Sequence, residues 1–504
     1  MKRGSSNAGV PLAKTPTGVP GFDDITGGGL PTGRPTLVCG GAGSGKTLLG
    51  MSVILNGILK FGEPGVIMTF EETAEELAQN VRSLGFDVDD LVVQKKLAID
   101  YVHVDRSEIE ETGEYDLEAL FVRIEHAVAS VGARRLMLDT IESLFGGLSN
   151  DSILRAELRR LFRWLKERKL TTIITGERGA NTLTRHGLEE YVSDAVIVLD
   201  HRVQEQISTR RLRIVKYRGS AHGTNEYPFL IGADGIAVEP VTAVGLQHKA
   251  SRQRISTGVR ELDQMLGGKG YFVGSSILIT GTSGTGKTSL AAHFAEAAAR
   301  RGQRCLYFIF EESASQITRN MGSIGIDVDA QIRAGRLRLH AARPTHFGLE
   351  EHLAAMRRLI EEYRPEVVVI DPLSNLLSAG ELREVNVMLL RLVDLLKSRG
   401  VTALFTTLTP SGVAEEQTEL GVSSLMDTWV LLSTSEVDGE RRRYLSILKS
   451  RGMAHSQQLR EYTLTSSGVR LLDFQHRASS LAPASGNGTA SGTAPLAAAR
   501  RARR

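Results

Sequence analysis

Two glycine-rich segments carry a lysine and a threonine at the spacing that binds nucleotide phosphates. The first is GGAGSGKT at residues 40–47 and the second is GTSGTGKT at residues 281–288. Glycines let the main chain curl so that its N–H groups face phosphate oxygens, and the helix expected after each segment adds positive potential. The lysine can then reach the β- and γ-phosphates of ATP, and the threonine hydroxyl can ligate Mg²⁺. These residues are Lys46 and Thr47 in the first segment and Lys287 and Thr288 in the second.

An aspartate ends an apolar run in each half of the chain. Asp139 closes RLMLD and Asp371 closes VVVID. A carboxylate at the end of such a strand can hold Mg²⁺ through water, which completes a P-loop nucleotide site. Either aspartate alone could equally be a helix cap or a surface residue, but the matching positions in both halves favour the metal role. Glu311 is a further candidate metal ligand in the second half.

A pair of adjacent glutamates follows the strand expected after each glycine-rich segment. At the carboxyl end of that strand a carboxylate can accept a proton from the attacking water or hydroxyl, with its neighbour as an orienting group. The sequence leaves open which glutamate of each pair is the base. The alternative is an acidic helix start, because EETAEE and EESASQ also resemble helix N-termini. The candidate catalytic residues are Glu71 and Glu72 in the first half and Glu311 and Glu312 in the second.

Two cations stand two residues apart near the end of each half. They are Lys216 and Arg218 in RLRIVKYRG, and Lys449 and Arg451 in YLSILKSRG. On a strand, residues two apart point to the same face. Such a pair can stabilise a γ-phosphate as arginine fingers do, from the same chain or from a neighbouring subunit. The alternative is a basic edge strand that guards against aggregation.

These matching sets belong to two copies of one domain. The glycine-rich segments are 241 residues apart, the glutamate pairs 240, and the Lys-x-Arg segments 233, so the order is kept with small changes in loop length. Each copy is about 240 residues long, within the range of a single domain. The expected division is residues 1–246, 247–475 and a tail at 476–504. The tail is mostly Ala, Ser, Gly and Arg without an acidic residue, a composition typical of disorder.

Short β-rich runs alternate with longer helical stretches in each copy. In the first copy we expect strands at 35–39, 66–70, 136–139 and 171–175, and helices at 48–60, 117–130 and 154–169. This alternation predicts an α/β fold with a mostly parallel sheet covered by helices on both faces. Ligands bind such sheets at the carboxyl ends of the strands, where the glycine-rich segments and the carboxylates fall.

The composition excludes several other classes of protein. The 504-residue chain is 41% hydrophobic and 24% charged, as in an ordinary globular protein, and its net charge of +3 implies no bulk attraction to nucleic acid. Two cysteines exclude a disulfide framework and fit a reducing cytoplasm. No apolar run reaches the ~18 residues that span a bilayer, so we expect neither a membrane segment nor a secretory signal.

The chain resembles the KaiC family of circadian clock proteins, within the RecA-like P-loop superfamily, over about residues 17–473. The resemblance rests on the duplicated GKT loops, the FEE segments, the strand-end aspartates, and KYRGSAH and KSRGMAH. It implies two tandem RecA-like domains in a homohexamer of stacked rings, with ATP and Mg²⁺ held between subunits. The implied ATP-binding residues are Gly43, Ser44, Gly45, Lys46, Thr47, Leu48, Ser83, Lys216, Tyr217, Arg218, Ser220 and His222 in the first ring, and Gly284, Thr285, Gly286, Lys287, Thr288, Ser289, Lys449, Arg451 and His455 in the second.

The resemblance also implies that the first domain hydrolyses ATP and that the second phosphorylates the protein's own hydroxyl groups. The 233-residue offset places Ser423 and Ser424 opposite Glu190 and Tyr191, where the family carries its phosphorylated pair. On position alone these serines would be a turn.

Partners and alternatives follow from the same comparison. Residues 113–124 resemble the segment that meets a KaiB-like partner, whereas the tail matches no KaiA-docking segment. The alternatives are a RecA-like DNA-handling ATPase, against which the near-neutral charge argues, and a nucleotide-gated scaffold with little turnover.

Overall fold

The computed structural model describes residues 12–102, 117–145, 151–179, 183–184, 193–204, 207–232, 235–239, 250–409 and 422–472. Over these residues the chain forms two α/β units, each built on a nine-stranded sheet. The predicted fold class, two tandem α/β domains with mostly parallel sheets, is confirmed. Most of the boundary segment, the first residues of the expected KaiB-like contact and the C-terminal tail lie outside the described residues.

The first sheet has the order β9-β8-β7-β6-β1-β5-β4-β2-β3. Strands β1 to β6 run parallel, and β7, β8 and β9 add an antiparallel extension at one edge. The strands are β1 Pro35–Gly40, β2 Gly65–Thr69, β3 Leu97–Tyr101, β4 Arg135–Asp139, β5 Thr171–Glu177, β6 Ala195–Gln204, β7 Ile207–Tyr217, β8 Glu226–Gly232 and β9 Gly235–Val238.

The second sheet repeats this order as β18-β17-β16-β15-β10-β14-β13-β11-β12, read from the antiparallel edge. The internal repeat in the sequence therefore corresponds to a repeat of topology. Its strands are β10 Ser276–Gly281, β11 Cys305–Ile309, β12 Leu337–Ala341, β13 Val367–Asp371, β14 Thr402–Leu408, β15 Thr428–Val437, β16 Glu440–Ser450, β17 Arg460–Thr465 and β18 Gly468–Leu471. A two-stranded ribbon precedes each sheet, Lys14–Thr15 with Leu30–Pro31 and Arg254–Ile255 with Tyr271–Phe272.

Helices cover both faces of each sheet, and the central strands β1 and β10 are therefore buried along their whole length. In β1, Val38 packs into one apolar cluster while Leu37 and Cys39 pack into another on the opposite face. The helices are α1 Phe22–Thr26, α2 Lys46–Phe61, α3 Ala74–Arg82, α4 Val88–Val93, α5 Glu118–Val131, α6 Ile141–Phe145, α7 Asp151–Glu167, α8 Arg260–Met265, α9 Lys287–Arg300, α10 Ala314–Ser323, α11 Val328–Arg333, α12 Leu349–Tyr363 and α13 Leu382–Ser398, with 3₁₀ turns at Pro344–His346, Leu373–Ser378 and Val422–Leu425. No described helix is long and apolar enough to cross a membrane.

One detail expected from the sequence is wrong. Arg218 and Arg451 each lie one residue beyond the end of β7 and β16, in the turn that follows, so the two cations of each pair do not share a strand. A helix does begin after each glutamate pair, as the alternative interpretation of these segments has it, and its N-cap residue carries a hydroxyl. Thr73 and Ser313 each form a capping box with the residue three positions on.

Candidate functional site

The glycine-rich segments connect a central strand to a helix in both copies. Strand β1 ends at Gly40 and α2 begins at Lys46, while β10 ends at Gly281 and α9 begins at Lys287. The glycine before each helix has a φ of 95° or 92°, the left-handed region that favours glycine. This turn leaves the first N–H groups of the helix facing outward, as a phosphate site requires.

The lysine of each segment folds back across its own loop. Lys46 Nζ donates to the carbonyl oxygens of Gly40 and Gly41, both at 3.0 Å, and Lys287 Nζ makes the matching bonds at 2.9 and 2.8 Å. Burial lowers the pKa of Lys287, whereas Asp371 and Glu311 oppose that shift. The lysines are thus held at the mouth of the loop, where a phosphate can take the place of the carbonyls.

The two strand-end aspartates lie buried beside the glycine-rich loops. Asp139 accepts a hydrogen bond from the hydroxyl of Thr175, and the Thr47 hydroxyl lies close enough to favour its charged form. Asp371 accepts one from Tyr307 at 2.8 Å and one from Thr406. Burial raises the pKa of Asp139, because a charge there loses its hydration. In the first copy the predicted metal ligands Thr47 and Asp139 are therefore adjacent, and an oxygen donor set of this kind suits Mg²⁺.

The second glutamate of each pair is tied to the helix that follows. Asn80 donates to Glu72 at 3.1 Å, and Asn320 donates to Glu312 at 2.9 Å. Burial raises the pKa of Glu72, and the nearby charge of Asp139 adds to the shift. The two asparagines recur at the same 240-residue offset as the glutamates, and the sequence alone assigns them no role. In the structure, each asparagine holds the second glutamate of its pair through this hydrogen bond.

The first glutamate of the first pair has different partners. Glu71 Oε1 accepts hydrogen bonds from the hydroxyls of Thr140 at 3.0 Å and Ser143 at 2.6 Å. These hydroxyls follow β4 directly, so they approach the glutamate across the sheet edge. In the second copy the matching positions hold Pro372 and Asn375, and the asparagine amide donates to the Phe310 carbonyl at 3.2 Å. This difference could not be predicted from the sequence, because it depends on contacts between loops far apart in the chain.

A cavity lies over each glycine-rich loop. The first, of about 390 Å³, is lined by loop residues together with Glu72, Ser83 and the apolar side chains of Leu84 and Ile231. The second, of about 360 Å³, is lined by the matching loop, Glu311, Glu312, Asp371 and an apolar wall at Met321, Ile324 and Leu464. Both have the size of a small-ligand site, with a polar end at the loop and an apolar end suited to a nucleotide base.

The structure places the predicted cations away from these cavities. Lys216 pairs with Val196 on β6, which pairs with Leu37 on β1, three residues before the loop begins. In the second copy, Lys449 pairs with Trp429 on β15, and Trp429 pairs with Leu278 on β10, again three residues before the loop begins. Three residues of strand are about 10 Å long. Among the described residues, no cation of the Lys-x-Arg segments lines the cavity of its own copy.

The remaining implied ATP contacts cluster around the turn after β7. Tyr217 is buried, donates its hydroxyl to the Gly29 carbonyl at 2.8 Å, and lies under the Lys14 ammonium. His222 stacks on it with ring centroids 6.2 Å apart, and Ser220 donates to the Ala221 carbonyl at 2.8 Å. These contacts of the Tyr217 side chain stabilise the turn. His455 lies partly exposed at the matching turn after β16.

The serine pair lies on the short turn Val422–Leu425, next to the second pair of cations. Lys449 Nζ donates to the Ser423 carbonyl and Arg451 Nη2 to the Ser424 carbonyl, both at 2.8 Å. Burial, and then the charge of Arg451, lower the pKa of Lys449. Ser424 is exposed and Ser423 is half-buried. The structure therefore brings the predicted phosphorylation sites and the cations together at the edge opposite the P-loop.

Comparisons with known proteins agree with this architecture. The model of the family described as "ATPase: KaiC" matches twice, over residues 15–243 and 255–475. The chain is 54% identical to the circadian clock protein KaiC2 of Synechocystis sp., over 92% of this chain and 82% of that protein. It is 38% identical to the circadian clock oscillator protein KaiC of Parathermosynechococcus lividus, over 92% and 86% of the two chains, and 37% identical to that of Prochlorococcus marinus, over 93% and 95%. These matches favour the ATPase hypothesis over the DNA-handling one.

Proposed function

Since the chain belongs to the KaiC family of ATPases, we propose that it hydrolyses ATP in its first domain and phosphorylates its own serines in the second, as a timing or regulatory hub. The observation that carries the proposal is the same set of groups at the carboxyl edge of both sheets. Each edge carries a glycine-rich loop, a buried aspartate, a glutamate pair and a nucleotide-sized cavity, which Glu72 lines in the first copy and Glu311, Glu312 and Asp371 line in the second.

We assign the role of general base for ATP hydrolysis in the first domain to Glu71. Glu72 is already tied to Asn80, as Glu312 is to Asn320, which suits an anchor for the loop. Glu71 has one oxygen fixed by two hydroxyls, and no described residue donates a hydrogen bond to its other oxygen, which can accept a proton from water. Lys46 and the loop N–H groups hold the phosphates. Thr47 and Asp139 would hold Mg²⁺, which when bound neutralises charge on the β- and γ-phosphate oxygens.

In the second domain, the acceptor is a serine hydroxyl instead of water. The γ-phosphoryl group moves from ATP to Oγ of Ser423 or Ser424, the serine proton passes to Glu311, and ADP leaves. Thr288 and Asp371 would hold the metal, with Glu311 as a further ligand candidate. Each serine lies at the sheet edge opposite its own P-loop, so the phosphoryl donor is the ATP of a neighbouring subunit.

The same geometry supports a ring in which each site is shared. Lys216 and Arg218, like Lys449 and Arg451, lie too far from the loop of their own copy to reach its phosphates. A subunit that presents its loop edge to its neighbour's cation edge makes a head-to-tail contact, which closes into a ring. We assign the family's homohexamer to this protein, with ATP and Mg²⁺ at the interfaces.

Location and partners complete the proposal. The two cysteines are free and buried, one in each domain, which suits a reducing cytoplasm. A KaiB-like partner is assigned to residues 113–124 by family resemblance, and the tail provides no basis for a KaiA-like one. Incubation of the purified protein with ATP and Mg²⁺, followed by mass spectrometry and phosphate assay, tests both activities together. Both phosphate release and phosphoserine are expected, and the absence of both refutes the proposal.

A further inference from the structure

The two P-loops differ in what lies behind their last glycine. A side chain added at Gly45 would meet Ile231 at 3.2 Å and the ring of Phe229 at 3.8 Å. At Gly286 it would meet Leu464 at 3.6 Å and the hydroxyl of Tyr462 at 3.8 Å. The two aromatic residues occupy matching places on β8 and β17. The second P-loop therefore packs near an aromatic residue that carries a hydroxyl, Tyr462, and the first packs near one that does not, Phe229.

That hydroxyl bonds to the P-loop itself. Tyr462 is 2% exposed, and its O–H donates to the main-chain carbonyl of Thr285. In a trans peptide the carbonyl and the next N–H point in opposite directions. A Thr285 carbonyl fixed toward β17 turns the N–H of Gly286 toward the other side, where the cavity lies. Tyr462 thus orients one of the N–H donors that cradle a phosphate.

A second bond rigidifies the same loop. Thr285 Oγ1 donates to the Thr282 carbonyl at 2.8 Å. In the first copy the matching side chain is Ser44, whose buried hydroxyl has no hydrogen-bond partner among the described residues. The second loop is therefore held by two side-chain bonds, whereas the first is held by a main-chain bond from the Ser44 N–H to the Gly41 carbonyl at 3.3 Å. A preorganised donor costs less to order when the ligand arrives, which increases affinity.

We propose that Tyr462 is a positioning residue that fixes the P-loop of the second domain and raises the affinity of that site for nucleotide. This inference rests on the assignment of ATP to both cavities. The first domain has Phe229 at the matching position, which has no hydroxyl to make this bond, so the effect is confined to the second site.

The test is a site-resolved titration of the full chain with 8-azido-ATP. After cross-linking on ice, digestion and mass spectrometry report adducts on peptides of each domain separately. Tyr462→Phe removes one oxygen atom and keeps the ring. It is expected to raise the half-saturating concentration at the second site about two- to ten-fold, the worth of one hydrogen bond, with the first site unchanged.

Two controls separate the possible failures. Tyr363→Phe removes a hydroxyl that donates to the Gly335 carbonyl at 2.9 Å in the same domain, and it is expected to change neither site. Lys287→Ala is expected to abolish labelling of the second site. If Lys287→Ala does so and Tyr462→Phe leaves the second site unchanged, the inference is overturned while the ATP site stands. Equal weakening at both sites, or by Tyr363→Phe, also overturns it. Labelling that survives Lys287→Ala refutes the site assignment itself.

Discussion

Replacing both glutamates of the first pair by glutamine removes the proposed base without removing its contacts. The amide oxygen introduced by Glu71→Gln can still accept the hydroxyls of Thr140 and Ser143, and the one introduced by Glu72→Gln can still accept the Asn80 amide. The fold and ATP binding are therefore expected to survive. What is lost is a carboxylate able to take a proton from water. That loss typically costs about 10²–10⁴-fold in rate, or roughly 3–5 kcal/mol of transition-state stabilisation.

The assay is phosphate release by the full chain in a background with Glu311→Gln and Glu312→Gln, so that only the first domain turns over. The paired change Glu71→Gln with Glu72→Gln is expected to lose most of the rate while ATP-driven assembly, followed by light scattering, is kept. Glu71→Gln alone is expected to reduce the rate of phosphate release more than Glu72→Gln alone, because Glu72 is held by Asn80 and is not the proposed base. Unchanged phosphate release in the double variant refutes the assignment, and a larger loss for Glu72→Gln reverses the roles.

Assembly, autophosphorylation and the pH dependence of stability each provide a further test. Lys46→Ala is expected to weaken ATP-driven assembly measured by light scattering, because nucleotide bound between subunits stabilises the ring by linkage; an unchanged ring refutes this. Ser423 and Ser424 are expected to carry phosphate in tandem mass spectrometry, and Lys287→Ala is expected to remove it; phosphate that survives contradicts the autokinase. Burial raises the pKa of Asp139. The raised pKa stabilises the folded protein below the pKa of the unfolded chain, and this stabilisation is lost as pH rises through the pKa of Asp139 in the folded protein. Asparagine cannot ionise, so Asp139→Asn is expected to raise the Tm of nucleotide-free protein at about pH 8 but not in acid. A lower Tm at both pH values contradicts it.

The features encoded by short motifs could be predicted from the sequence. The α/β class, the two copies and the strand-to-helix position of Lys46 and Lys287 all follow from local patterns, because the glycine loop fixes its own surroundings. Asp139 and Asp371 could be placed at strand ends for the same reason, since an apolar run ends where the sheet meets solvent. The comparisons confirm the family that these motifs indicated.

Contacts between distant segments could not be predicted. The hydroxyls that hold Glu71 lie about 70 residues away in the chain, and Tyr462 is 177 residues from the carbonyl it bonds. The Lys-x-Arg segment has the pattern of a strand because β7 continues to Tyr217, yet its pairing with β6 shifts register just before Lys216 and the chain turns at Gly219, where φ is 80°. A period-two pattern predicts where a strand lies more reliably than it predicts the residue at which the strand ends.

Complementation between two inactive variants tests most directly whether each site is shared between subunits. One variant carries Glu71→Gln with Glu72→Gln, the other carries Lys216→Ala with Arg218→Ala, and both carry Glu311→Gln with Glu312→Gln to silence the second domain. In an equal mixture assembled with ATP, about one quarter of the interfaces pair an intact base with intact cations from the neighbour. If the sites are shared, the mixture regains about one quarter of the first-domain phosphate release. A mixture no more active than the two variants measured separately contradicts the shared site.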